Sequence, residues 1–332
     1  MPVIRKLIQE VRLASCLVWF ALLPGFFPSF IFAQAVPPEA VAQFESVIGS
    51  RVEAVTILGG DYAAAGGIYA FRGGHLADLS IAKLGGGGVV AEARPLGESG
   101  IKWAPVLQGN LGQTTAENEF LAGYLQGNRS RYDLVAVQAG GGAKFFLTDN
   151  FWVTPTFSGI YGHTKNEFLP QNPVGDAIKI AASGTFVDWE VDTWSVVPSL
   201  ELGYEYHWRR TILAFSTRYN FFHTENFDSS SPVVSVDGNS HTWENKLDVD
   251  VPLGWRLLGQ ELHTGGFLAS TSIFGDAADG LREDQIYTVN GRLVVNLLDR
   301  VWSVRWIGLG CSYFFGENFS GWSAGLSISL QF

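Results

Sequence analysis

The chain has 332 residues, including 39 Gly, 24 Phe, 11 Trp and 10 Tyr, with 16% charged residues and a formal net charge of −10. So acidic a chain lacks the basic surface that nucleic-acid binding requires, and 47% hydrophobic content excludes a disordered chain. Glycine and aromatics this abundant, without a collagen period, point to β-structure with close backbone approaches.

Arg5, Lys6 and Arg12 open the chain, an uncharged apolar stretch runs from Leu13 to Phe32, and Ala33-Gln34-Ala35 follows as a small-x-small cleavage site. An uncleaved membrane helix is the competing reading, since about 20 apolar residues span a bilayer. Pro24 and Pro28 inside the stretch favour cleavage. Leu13-Ala14-Ser15-Cys16 resembles a lipidation box but precedes the apolar core, the wrong place for one. Residues 1–35 are therefore read as a signal peptide, whose removal takes Cys16 with it and leaves Cys311 as the remaining cysteine. No internal disulfide is then expected.

Residues 38–58 carry Val41, Phe44, Val47, Ile48, Val52 and Val55 at three- and four-residue spacings, between Pro37-Pro38 and Gly59-Gly60. The segment 36–60 is thus expected to form a helix of about 30 Å, lying in the periplasm or threading a barrel lumen. Residues 61–332 follow as one domain. The stretch 62–84 is broken by glycines, and Gly85-Gly86-Gly87-Gly88, with no Lys-Ser/Thr after it, reads as an outer loop rather than a phosphate loop.

From there alternation dominates. Trp194, Val196, Pro198, Leu200, Leu202, Tyr204, Tyr206 and Trp208 oppose Ser195, Ser199, Glu201, Gly203, Glu205 and His207. Leu213, Phe215, Tyr219 and Phe221 oppose Ala214, Ser216, Arg218 and Asn220. Trp243, Leu247, Val249, Val251 and Trp255 oppose Glu244, Lys246, Asp248 and Asp250. At the end Trp322, Ala324, Leu326, Ile328, Leu330 and Phe332 oppose Ser323, Gly325, Ser327, Ser329 and Gln331. Trp243 and Trp255 lie about 41 Å apart along a strand, or about 29 Å vertically at a 45° tilt, one in each membrane interface. A soluble sandwich explains neither these lengths nor these tryptophans.

The expected strands fall near 101–111, 116–127, 132–147, 150–163, 192–208, 211–223, 242–256, 259–274, 286–298 and 301–315, with a last one ending at Phe332. Connections alternate short (148–149, 209–210, 257–258, 299–300) and long (164–191, 224–241, 275–285), as in outer-membrane barrels. With a contribution from 62–84 this gives an all-β antiparallel transmembrane barrel of twelve strands, fourteen being the alternative. In 301–315 the even set is expected outward, because Arg305 facing lipid would cost about 2–4 kcal/mol.

Phe44-Glu45-Ser46-Val47-Ile48-Gly49, Ile57-Leu58-Gly59-Gly60-Asp61-Tyr62 and Arg94-Pro95-Leu96-Gly97 resemble the solitary outer-membrane autotransporter-like β-barrel family. That resemblance implies a helix preceding a twelve-stranded barrel, an outer-membrane location, contact with outer-membrane lipid, recognition of the strand ending in Phe332 by the barrel assembly machinery, and no catalytic residues or cofactors. About 25 residues separate the signal from the barrel, so no exported passenger is expected in this chain.

Glu201, Glu205, Arg218, Glu244, Lys246, Asp248, Asp250, Arg292 and Arg305 are expected to line the lumen. Both signs are present, so a structural salt-bridge network is favoured over a solute-selecting constriction. His163, His223 and His241, with Glu225, Asp228 and Asp237 near in sequence, fall at strand ends beside long loops. A His–carboxylate pair there could activate water, and two His with a carboxylate could hold a metal. No HExxH, GxSxG or paired-carboxylate signature accompanies them, so chance placement in polar loops is favoured. The function expected is a non-enzymatic transport-type or structural barrel. A surface hydrolase with a rim site, and an adhesin using loops 164–191 and 224–241, are the alternatives.

Overall fold

The computed structural model describes residues 67–72, 78–119, 127–257, 259–296, 304–317 and 320–330. The signal segment, the 38–58 helix and Phe332 lie outside the described residues. Among the described residues twelve strands form the sheet: β1 (Gly67–Arg72), β2 (Asp78–Val89), β3 (Lys102–Glu119), β4 (Arg129–Phe146), β5 (Phe151–Leu169), β6 (Glu190–Trp208), β7 (Thr211–Ser229), β8 (Asp237–Leu257), β9 (Gln260–Gly275), β10 (Gln285–Asn296), β11 (Val304–Phe315) and β12 (Ser320–Leu330). Arg94–Pro95 adds a two-residue pairing to the start of β3. Helices α1 (Pro173–Ala182) and α2 (Asp276–Leu281) sit in the β5–β6 and β9–β10 connections.

Every strand pairs antiparallel with its sequence neighbour, and β1 pairs with both β2 and β12, so the sheet closes on itself. Over the six residues of β1 the two edges of the sheet are joined, as a bilayer demands because it offers no water to unpaired backbone groups. An even strand number also puts the start of β1 and the end of β12 on the side of the short turns. The long connections 170–189, 230–236 and 276–284 lie together on the other.

Burial separates the two faces. Leu200, Leu202, Tyr204, Phe215, Leu247 and Leu268 are exposed on the outside, while Thr193, Ser195, Val197, Asn220 and Thr242 are buried inside. Outward aromatics pair across strands at one level: Tyr161 with Trp194, Tyr219 with Trp243, and Tyr313 with Trp322. Trp208 and Trp255 mark the opposite level, also exposed. These are the two interfacial girdles that the tryptophan spacing requires.

Several boundaries differ from the sequence reading. Residues 101–111 and 116–127 are not two strands: β3 runs unbroken through Gly112-Gln113-Thr114-Thr115, and the count of twelve is restored by β1 and β2. The tetraglycine is no loop but the end of β2, with Gly85–Gly88 opposite Asn110–Leu107 of β3. Cβ atoms at Gly85 and Gly87 would come within 2.0 Å of Asn110 Oδ1 and 2.8 Å of Gln108 Cβ, so glycine permits this close pairing. Strands β5 and β7 continue to Leu169 and Ser229, six residues past their expected ends.

In β11 the odd set faces out, contrary to expectation: Leu309 and Tyr313 are exposed, whereas Phe314 is buried. The cause is a β-bulge. Partners step from Val304↔Leu330 to Trp306↔Ser329, so Arg305 is an extra residue and its parity does not carry through to Ile307.

Candidate functional site

The interior is layered along the barrel axis. Nearest the short turns it is charged. Glu201 of β6 and Arg218 of β7 are register partners, with the guanidinium donating from Nη2 at 2.5 Å and Nε at 3.1 Å. Trp152 Nε1 donates to the same carboxylate at 3.3 Å, and Lys144 Nζ lies 3.9 Å from the Trp152 ring. Glu244 stands opposite Arg218 on β8. Arg292 of β10 reaches over β9 to Asp248 of β8 in a bidentate pair at 2.6 and 2.7 Å. Asp250 contacts His263 Nδ1 at 2.8 Å, Lys246 lies over Phe267 at 4.5 Å, and Glu205 meets His207 at 2.7 Å. Arg210 pairs with Glu261. The side chain of Arg305 lies outside the described residues.

Of the expected charged residues, Glu201 pairs with Arg218 and Asp248 with Arg292, while Glu205 and Asp250 meet histidines and Lys246 lies on an aromatic ring. His263, Glu261, Lys144 and Trp152 belong to the same layer and were missed. Extending the two-residue period back from Phe267 to Glu261 would have found two of them.

Above the charges comes a neutral ladder. Asn110 donates to Gln138 at 2.5 Å, and Gln138 donates to Ser158 at 3.0 Å. Above that lies an apolar belt: Ile81, Ala116, Leu134, Ala136, Ile160, Val197, Phe222, Ile273, Ile286 and Phe314, joined by Ala277 of α2 and all at 6% exposure or less. Leu281 and Ala278 of α2 pack against it. Higher still on the β4–β8 side, Trp189, Val191, Val234 and Val236 form a second buried cluster against Tyr132.

The three rim histidines are on strands, not in loops, and none faces the lumen. His163 Nδ1 and Tyr161 Oη both contact Asp192 at 2.8 Å. His241 hydrogen-bonds Tyr219 at 2.5 Å and packs on Phe221. His223 contacts Glu225 through Nε2 at 2.9 Å and Asn239 through Nδ1 at 3.1 Å, with Asp237 beside them. This last group lies beyond the Tyr219–Trp243 girdle pair, outside the bilayer. There the hydrogen bond that the His223 imidazole donates to Glu225 holds its pKa above the ordinary value against the opposing effect of burial, and Asn239 and the charge of Asp237 add to it. Asp228 pairs in register with Asp192 and does not join the cluster.

A closed antiparallel barrel of twelve strands, sheathed in apolar residues between two aromatic girdles, fixes the class of molecule. The family described as the solitary outer membrane autotransporter beta-barrel domain matches residues 94–329. The chain belongs to that family. Among solved structures this solitary autotransporter barrel is similar to the beta domain of the Bordetella autotransporter BrkA. The TM-score is 0.52 at 13% identity, over 80% of this chain and 97% of that one. It is equally similar to the transport unit of the autotransporter AIDA-I from Escherichia coli, with a TM-score of 0.52 and 9% identity, over 86% and 99%. Identities this low show the fold alone. No curated protein matches the sequence. The barrel is an outer-membrane protein whose outward face meets lipid.

Proposed function

We propose that this solitary barrel is a plugged, non-enzymatic structural or transport-type barrel rather than an open diffusion pore. One observation carries the reading: the apolar belt is almost wholly buried. Wall side chains fill the interior of an eight-stranded barrel, but twelve strands enclose a wider space, so buried side chains around the wall support the presence of material on the axis. α2 supplies some of it at the outer mouth. In this reading the segment 38–58, with its apolar Val41, Phe44, Val47, Ile48, Val52 and Val55, supplies the rest. The charged layer below is then a structural lining, tied across strands by the Glu201–Arg218 and Asp248–Arg292 pairs.

Export by residues 1–35 and assembly through the strand ending in Phe332 belong to the same proposal. Single-channel conductance of the refolded chain lacking residues 1–35, compared with one also lacking 36–60, tests it. Low conductance that rises sharply on the second deletion is expected. High conductance in both overturns the plugged reading and makes the barrel a general pore.

A further inference from the structure

We infer that His223, Glu225 and Asp237 form a binding site for a first-row divalent transition metal, Zn2+ above all, on the outer face of the β7–β8 ribbon above the membrane. His223 and Glu225 are two apart on β7 and share a face. Asp237 is the register partner of Glu225 on β8, and Asn239 that of His223. The cross-strand pairing therefore puts one imidazole and two carboxylates together, their ligand atoms all within 4.8 Å of one another.

The pairing of Glu225 with Asp237 is otherwise unfavourable, because like charges directly opposite on antiparallel strands repel. A divalent cation removes that cost, and two carboxylates with a neutral imidazole match its charge. The imidazole is also oriented for the task. Its Nδ1 faces the Asn239 side-chain oxygen at 3.1 Å, the outer-sphere hydrogen bond that fixes a ligating histidine, so that Nε2, now bonded to Glu225, binds metal on releasing its proton to solvent. Asn239 is itself held, its backbone N–H donating to Asp276 at the start of α2 at 2.8 Å. The Trp194 ring meets the imidazole edge-on with centroids 6.3 Å apart. The hydrogen now joining Nε2 to Glu225 marks the position the cation takes.

Ligands of a tetrahedral Zn2+ sit about 3.3 Å apart, with bonds of about 2.0–2.2 Å. Carboxylate side-chain rotation on two fixed strands suffices to close the present spacing. Three protein ligands leave a fourth position open to water or an external anion. The imidazole favours Zn2+ over Mg2+ or Ca2+, which take oxygen ligands.

The test is isothermal titration of Zn2+ into the refolded, tag-free chain in detergent, with Co2+ absorption as a second probe. Folding of each variant is checked by its heat-modifiable gel mobility. One Zn2+ per chain is expected, with d–d bands on Co2+ loading. Binding should fall at least tenfold in Asp237→Asn and in Glu225→Gln, be lost in His223→Ala, and be unchanged in His163→Ala. Absence of stoichiometric binding overturns the proposal. So does binding that survives His223→Ala in a folded barrel, or displacement by an equal concentration of Mg2+, which would mark a carboxylate-only site.

Discussion

At residue scale the interior depends on where a side chain is missing. Arg292 reaches Asp248 across the intervening strand because Gly265 stands between them. A Cβ there would lie 3.3 Å from Arg292 Nε and 2.5 Å from the Val249 carbonyl oxygen. Both partners are mostly buried, at 14% and 18% side-chain exposure, so separating them leaves two charges poorly solvated. Gly265→Val should therefore destabilise the barrel by about 3–5 kcal/mol, the cost of breaking a buried pair. The midpoint of urea unfolding in detergent measures this. Gly291→Val is the control, because a Cβ at Gly291 meets nothing. Equal midpoints for the two variants would mean that the Arg292–Asp248 pair contributes little.

At the scale of the strand, legibility followed the solvent. Where one face meets lipid and the other meets packed polar groups, as in 192–208 or 242–256, the alternation is strict and the sequence reveals both strand and orientation. Above the upper girdle that contrast ends. His163, Lys165 and Glu167 face outward into an aqueous layer, so β5 loses its apolar period while its backbone ladder runs on to Leu169. Hence strands were read as ending where only the membrane ends. The bulge at Arg305 was invisible for another reason: an extra residue leaves no compositional mark, yet it reverses every later position in β11.

Cys311 tests that reversal. It is exposed, and it shares its parity with Leu309 and Tyr313. A bimane attached to it in a chain lacking residues 1–35 should be strongly quenched by brominated lipid acyl chains. The opposite orientation would place the label in the lumen, and quenching would be weak. Leu309→Arg, moreover, should cost about 2–4 kcal/mol in a bilayer.

Across the whole molecule the walls are unequal. Strands β3 to β8 have 18–21 residues, whereas β10 to β12 have 11 or 12. Twenty-one residues extend about 70 Å, or about 50 Å at a 45° tilt, against an apolar band of about 25 Å. The taller wall therefore stands well clear of the bilayer and carries α1, the Trp189 cluster and the His223 group. Its excess belongs above the upper girdle, because Trp208 and Trp255 lie within two residues of the opposite strand ends.

The wall must then face the exterior if the short turns face the periplasm, the arrangement of outer-membrane barrels. An epitope inserted in 230–236 should bind antibody on intact cells. The same epitope at Arg209-Arg210 should bind only after the outer membrane is permeabilised. Both insertions interrupt connections rather than ladders, so both barrels should fold, and heat-modifiable mobility checks that they do. If the two labels exchanged behaviour, the tall wall, the second apolar cluster and the inferred metal site would all stand in the periplasm. The long strands would then need a partner there to cover them, rather than the lipid headgroups and water of the cell surface.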